Sequence, residues 1–217
     1  MKITVIDYGL SNLLSVQRGF EHFGAEVEIT GEHDKILEAK ALVLPGVGAF
    51  KDGMAGLSAL ELTPIIRKKA IEGVPLLGIC LGMQMLFDES DEFGVHKGLG
   101  LLPGRVELIP QTDALGQRQH VPHIGWNNLY PGGGRNNFDG TILQEVADGA
   151  QAYFVHSYEA KPQNPQNRLA DTIYGGRKVC AAALNGNVMG CQFHPEKSGE
   201  VGLKIIKQFI VLAKAFF

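Results

Sequence analysis

The chain has 217 residues, 45% of them hydrophobic and 20% charged, with a net charge of −3. That length is enough for one well-packed α/β domain without disulfide or metal staples, and residues 1–217 are read as a single domain. The slight acidity gives no cationic field to hold nucleic acid, and no apolar run nears the ~18 residues of a membrane span. Cys80, Cys180 and Cys191 include no C-x-x-C pair; an odd set of free thiols fits a reducing compartment, so the cytoplasm is the expected location.

Residues 3–6 predict a first strand, and residues 12–23 a helix with Leu13, Val16, Phe20 and Phe23 near helical spacing, ended by Gly24. A strand at 26–29, a short polar helix around 34–39 and a strand at 41–44 follow. Residues 55–72 are helical in character, with Pro64 in the first turn of a second segment. A strand at 75–79 leads into a helix-forming stretch at 83–87. This βαβαβ order predicts a parallel sheet with helices on both faces.

The second half reads as strands at 104–109, 121–128, 153–157, 169–173, 179–184 and 188–193, with Asn185-Gly186 as a hairpin signal between the last two. Residues 131–137 and 161–167 read as loops, and 200–217 as a final helix with Val201, Ile205, Phe209 and Leu212 on one face. The fold class is therefore α/β: a mixed, mostly parallel central sheet flanked by helices, with a β-rich second half.

The chemistry concentrates in three places. Residues 74–82 carry an apolar strand into Gly78-Ile79-Cys80-Leu81-Gly82, the G-x-nucleophile-x-G elbow with cysteine as nucleophile. Glycines on both sides suit a tight strand-to-helix turn, and the helix that follows aims its N-terminal dipole at the sulfur. A buried structural cysteine is the plain alternative. Residues 188–198 end a short strand in His194-Pro195-Glu196, which offers a base and its orienting carboxylate, or else a surface turn. The strand at 41–44 ends in Pro45-Gly46-Val47-Gly48, a glycine-rich loop able to turn N–H groups toward an oxyanion or a phosphate. It has the spacing of neither a P-loop nor G-x-G-x-x-G. The N–H of Leu81, just past the nucleophile, is the expected second oxyanion donor.

Taken together, PGVGAF, GICLGMQ and QFHPEKS resemble the class I (Cys-His-Glu) glutamine amidotransferases. Ile6-Asp7-Tyr8-Gly9, His123-Ile124-Gly125-Trp126-Asn127 and residues 153–158 narrow the resemblance to the glutaminase subunits of imidazole glycerol phosphate synthase, across essentially the whole chain. The resemblance implies Cys80 as nucleophile, His194 as base and Glu196 as its orienter. It implies Gly48 and Gln84, with the Ser157-Tyr158 backbone, as holders of L-glutamine, and Gly46, Val47 and Leu81 around the oxyanion. The implied partner is a (β/α)8-barrel cyclase, the pair forming a heterodimer that makes imidazole glycerol phosphate and aminoimidazole carboxamide ribotide in histidine biosynthesis. No cofactor, metal, nucleic acid or membrane is called for. The alternative within the class is a paralogous glutaminase feeding another synthase, such as one that aminates a surface-polysaccharide sugar. Ser11 departs from the glycine usual before the Asn of the N-terminal motif, and residues 132–137 have no assigned role.

Overall fold

A computed structural model describes residues 1–215. In chain order the elements are β1 (Lys2–Ile6), α1 (Leu13–Glu21), β2 (Glu26–Thr30), α2 (His33–Glu38), β3 (Leu42–Gly46), α3 (Phe50–Ala59), α4 (Leu62–Ile71), β4 (Leu76–Cys80), α5 (Leu81–Met85), β5 (Phe87–Ser90) and β6 (His96–Lys97). They continue as β7 (Leu102–Leu108), β8 (His123–Asn128), β9 (Tyr130–Pro131), β10 (Gln151–His156), β11 (Tyr158–Pro162), β12 (Arg168–Tyr174), β13 (Arg177–Asn185), β14 (Val188–Cys191) and α6 (Gly199–Ala215).

The main sheet has eight strands in the order β2-β1-β3-β4-β14-β13-β12-β9. Its first five run parallel, and β13, β12 and β9 add on antiparallel. Every residue of β3 and β4 is buried, as expected of strands covered on both faces. Period-2 alternation divides their side chains. Ile3, Val5, Val43, Leu77 and Ile79 join one core with α1 and α6, where Phe20 meets Phe209 edge-on at 6.0 Å. Ile6, Leu42, Leu44 and Leu76 join the opposite core with Leu57, Leu62 and Ile66 of α3 and α4. A second sheet, β11-β7-β5-β6, and a ribbon of β10 and β8 complete the β-rich half. No helix among the described residues is long and apolar enough to cross a membrane.

Several boundaries differ from the sequence reading. The stretch expected at 55–72 begins at Phe50 and splits at Glu61, which turns left-handed with φ of 51°. Pro64 does sit in the first turn of the second piece. Phe87 is in β5 rather than helical, because the Leu86 carbonyl accepts from the N–H groups of Leu101 and Leu102 and pulls the chain out of α5 after one turn. The hairpin loop is Gly186-Asn187, one residue later than expected, since Asn185 still pairs with Val188.

β5, β6, β9 and β11 went unread, and residues 158–162 form a strand where part of a loop was expected. The final helix starts at Gly199, and residues 216–217 of the expected helix lie outside the described residues. Of its expected face, Ile205 and Phe209 are fully buried and Val201 and Leu212 half-buried. Residues 132–137 close the sheet's edge: Gly132 N–H donates to the Leu169 carbonyl and Arg135 reaches the Gln166 carbonyl.

Candidate active site

Cys80 ends β4 with φ of 55° and ψ of −110°, a conformation that costs a non-glycine residue about 1–3 kcal/mol. Packing explains why it persists. A Cβ at Gly82 would lie 1.7 Å from the Leu44 carbonyl oxygen, and one at Gly78 would lie 2.7 Å from the Met83 nitrogen. Gly78 lets α5 fold back over the end of β4, and Gly82 lets the elbow lie against β3, whose Gly46 pairs in register with Cys80. α5 is only five residues long, yet Leu81 is its first residue, so its N–H has no acceptor within the helix.

β14 runs parallel to β4 and carries the chain to His194 and Glu196 beside the sulfur. Both side chains are buried, and His194 Nδ1 lies 2.7 Å from Glu196 Oε1. A carboxylate only accepts, so Nδ1 carries the proton and Nε2 is left for the thiol. Burial works to lower the His194 pKa, but hydrogen bonds and charge from Cys80 and Glu196 outweigh it and raise it to about 9. Ser198 fixes this turn in place. Its hydroxyl donates to the His194 carbonyl at 2.7 Å and accepts from Tyr153 N–H at 3.0 Å, tying the His-Pro-Glu turn to β10.

Cys80 and His194 open into a cavity of about 410 Å³ that also receives Val47, Gly48, Leu81, Gln84, Glu92, Pro122, Ser157, Tyr158 and Lys197. Gln84 Nε2 donates to the Tyr158 carbonyl at 3.0 Å and to Gln192 Oε1 at 2.9 Å. Both hydrogens of that amide are spoken for, so its oxygen remains as an acceptor. A wider cleft of about 750 Å³ lies along the second sheet. Its cations are matched there: Lys97 to Glu89, Arg105 to Glu107 and Lys161 to Glu159, while Arg67 donates to the Leu99 and Gly98 carbonyls. It holds no nucleophile.

A strand-end cysteine on a strained elbow, facing a carboxylate-bound histidine, is the arrangement of a thiol acyl-transfer enzyme. Comparison with known proteins specifies which. The family described as "Glutamine amidotransferase class-I" matches residues 4–213. The chain belongs to the class I glutamine amidotransferases. Imidazole glycerol phosphate synthase subunit HisH 1 of Legionella pneumophila (strain Lens) is 50% identical over 208 residues, covering 96% of this chain and 98% of that protein. Subunit HisH of Geobacillus sp. (strain WCH70) is 46% identical over 207 residues, covering 95% of each. In fold, a crystal structure of a glutamine amidotransferase aligns with a TM-score of 0.71 at 19% identity, covering 97% of this chain and 98% of that one. The structure of PurLQS from Thermotoga maritima aligns at 0.69 and 22% identity, again over 97% and 98%.

β4 and β14 thus bring Cys80 together with the His194–Glu196 pair, and Gly48, Leu81, Gln84, Ser157 and Tyr158 line the cavity into which Cys80 and His194 open. Two expected positions are placed differently. Gly46 is buried, and a Cβ there would meet the Tyr8 hydroxyl, so it shapes the floor without lining this cavity. Val47 lines the cavity, but its N–H donates to the Leu10 carbonyl at 3.1 Å and so is turned away from Cys80. Tyr8 is a tethered core tyrosine whose hydroxyl donates to the Pro45 carbonyl, joined there by Ser11 at 3.5 Å.

Sequence reading missed Glu92. It comes from the β5–β6 loop, lines the cavity, and accepts from Phe50 N–H at the start of α3 at 2.7 Å. Burial raises its pKa, with the Phe50 hydrogen bond opposing. The run Asp88-Glu89-Ser90-Asp91-Glu92 looks like a solvated acidic turn, and nothing local distinguishes the one carboxylate that folds inward.

His123 and His156 form a buried chain behind the Tyr158 carbonyl. His156 Nδ1 lies 2.8 Å from that carbonyl, its Nε2 lies 3.0 Å from His123 Nδ1, and His123 Nε2 lies 2.9 Å from Asn127 Nδ2. The carbonyl can only accept, so each ring is a neutral Nδ1–H tautomer. His123 is also stacked between Phe154 and Tyr174 at 4.8 and 4.1 Å. Burial lowers the His156 pKa to about 3 and the His123 pKa to about 4. With folded values below the unfolded one, the unfolded chain binds more protons as pH falls, so their contribution is intact above about pH 6.5 and is lost on acidification toward 4 and below. Urea unfolding should show a stability loss between pH 6.5 and 4 that is shallower in His123→Gln; an equal pH dependence in the two proteins would contradict this.

Proposed function

We propose that this chain is the single-domain, cytoplasmic glutaminase subunit of an imidazole glycerol phosphate synthase, supplying ammonia to a (β/α)8-barrel cyclase in histidine biosynthesis. The observation that carries the chemistry is His194 held between the Cys80 sulfur and the Glu196 carboxylate at one wall of a cavity with room for an amino acid. The assignment to this synthase rests on subunits of that name at 50% and 46% identity over almost the full chain.

Glutamine enters with its side-chain carboxamide at Cys80. The Gln84 oxygen and the Glu92 carboxylate face its α-ammonium, and the Ser157-Tyr158 backbone fixes the rest of the amino-acid end. With the thiol proton already held on His194 Nε2, the sulfur attacks the amide carbon as thiolate, and the oxyanion is met by Leu81 N–H. His194 returns the proton to the departing nitrogen, releasing ammonia and leaving a γ-glutamyl thioester. Water then attacks the thioester with His194 as base, and glutamate leaves. Glu196 keeps the imidazole in the required tautomer and balances its charge.

The second oxyanion donor is the element that is out of place. With Val47 N–H bound to the Leu10 carbonyl, the tetrahedral intermediate has one donor from the elbow and none from this residue. Loss of one such donor costs about 10²- to 10³-fold in kcat. The Val47 side chain is 40% exposed at the cavity mouth, and Trp126 and Ile124 of β8 are 53% and 59% exposed. A partner docking over Val47 would compete with its hydrogen bond to Leu10 and free the loop to turn. The chain alone should therefore hydrolyse glutamine about 10²-fold or more below its rate with the cyclase and that enzyme's ribonucleotide ligand. Equal rates with and without the partner would refute the proposed brake, and hydrolysis stimulated by a different synthase alone would refute the pathway assignment.

A further inference from the structure

Gln192 has no part in the mechanism above, yet it sits against the nucleophile. It follows β14, is fully buried, and its backbone N–H donates to the Ala181 carbonyl at 2.8 Å. Its side-chain amide bridges two groups, with Nε2 3.9 Å from the Cys80 sulfur and Oε1 2.9 Å from Gln84 Nε2. The orientation follows from chemistry. The Tyr158 carbonyl only accepts, so the Gln84 atom facing it is the NH₂ group. That group's second hydrogen reaches Gln192, which must answer with oxygen, and the Gln192 NH₂ is then left facing sulfur.

We propose that Gln192 is a fixed hydrogen-bond donor to the Cys80 thiolate and, through Gln84, the residue that sets the substrate wall of the cavity. This rests on the glutaminase reading and adds to it a donor that does not titrate. Cys80 otherwise faces groups that do: His194 and Lys197 from the His-Pro-Glu turn, His156 from β10, Tyr158 from β11 and Glu92 from the β5–β6 loop. Burial, with charge on Cys80 adding to it, raises the pKa of Tyr8 beneath Gly46 and keeps that hydroxyl neutral. An N–H aimed at sulfur favours the anion over the thiol whatever the charge state of those neighbours. A bridging amide also explains why a polar side chain is kept in a wholly buried place, since both of its ends are used.

The test is the pH dependence of iodoacetamide alkylation at Cys80, read on the Cys80 peptide by mass spectrometry, in the full chain and in Gln192→Met and Gln192→Glu. Cys180 and Cys191 are internal controls, being fully buried, with burial raising both thiols and Cys180 to about 12. Gln192→Met should move the alkylation midpoint up by about one pH unit and slow alkylation at neutral pH about 10-fold. Gln192→Glu should move it further, because a carboxylate repels the thiolate. Glutaminase kcat should fall by a similar factor in both.

A residue that only fills space would lower Tm and leave the midpoint alone. An unmoved midpoint in folded Gln192→Met refutes the proposal, and that variant decides the matter if Gln192→Glu does not fold, since it keeps the volume and adds no charge. Failure of the wild-type chain to hydrolyse glutamine even with the cyclase and its ribonucleotide ligand, or hydrolysis by Cys80→Ala under the same conditions, refutes the underlying reading instead.

Discussion

Cys80→Ala is expected to lower glutamine hydrolysis about 10⁴-fold or more while leaving the fold intact. Alanine removes the sulfur but fits the space, since Cys80 is buried at a strand end and its contacts other than His194 are long, 4.0 Å to the Val155 carbonyl and 3.9 Å to Gln192. The left-handed φ of Cys80 is as strained for alanine as for cysteine, so stability should change little. Removing Glu196 instead should leave partial activity, because the sulfur and imidazole remain while the tautomer and charge of the imidazole are no longer fixed. Glutaminase assays on the three proteins, with equal Tm for wild type and Cys80→Ala, check this ordering. Activity in Cys80→Ala within 10²-fold of wild type would show that another group attacks the amide.

The second large effect is on folding. Gly82→Ala places a methyl carbon 1.7 Å from the Leu44 carbonyl oxygen, a backbone atom of β3 that cannot move without disturbing the central sheet. Flexible side chains elsewhere could swing aside, but here backbone meets backbone. A loss of about 3 kcal/mol or more is expected, above the usual range for an added methylene in a core. In urea unfolding the midpoint should fall sharply with an unchanged slope. An alanine variant as stable as wild type would mean that the elbow has more room than its packing indicates. The same clash bears on activity: any relaxation that admits the methyl shifts Leu81, whose N–H is the proposed donor to the oxyanion.

Which parts of this site could be read from sequence follows from how local their causes are. Cys80 was legible because its strand, its two glycines and its helix are contiguous, although its positive φ also needs β3, whose Leu44 carbonyl lies against Gly82. His194 and Glu196 were legible as a pair because Pro195 separates them by a single rigid step. Gln192 and Glu92 were not, since each acquires meaning only from a contact far along the chain: Gln192 from Gln84 and Cys80, Glu92 from the start of α3.

The bond between Val47 N–H and the Leu10 carbonyl is of the same kind and joins two loops that read separately as glycine-rich and polar. Among the elements, the buried strands β3 and β4 announced themselves by unbroken apolar runs. β5 (Phe-Asp-Glu-Ser) and β11 (Tyr-Glu-Ala-Lys-Pro) carry charges on the second sheet and have no hydrophobic pattern to expose them. Pro64 marked the second segment of the α3–α4 stretch, but nothing in the sequence marked the left-handed turn at Glu61 itself.

The claim beneath all of these is that glutamine becomes covalently attached to one sulfur. Acid-quenching the protein during turnover, together with its cyclase partner, and mapping the digest by mass spectrometry reads that directly. A γ-glutamyl adduct should appear on the peptide containing Cys80, at an occupancy that rises when His194 is replaced by asparagine and deacylation slows, and it should be absent from the peptides of Cys180 and Cys191. Steady hydrolysis with no adduct on Cys80 in either protein, or an adduct confined to another residue, would contradict the account.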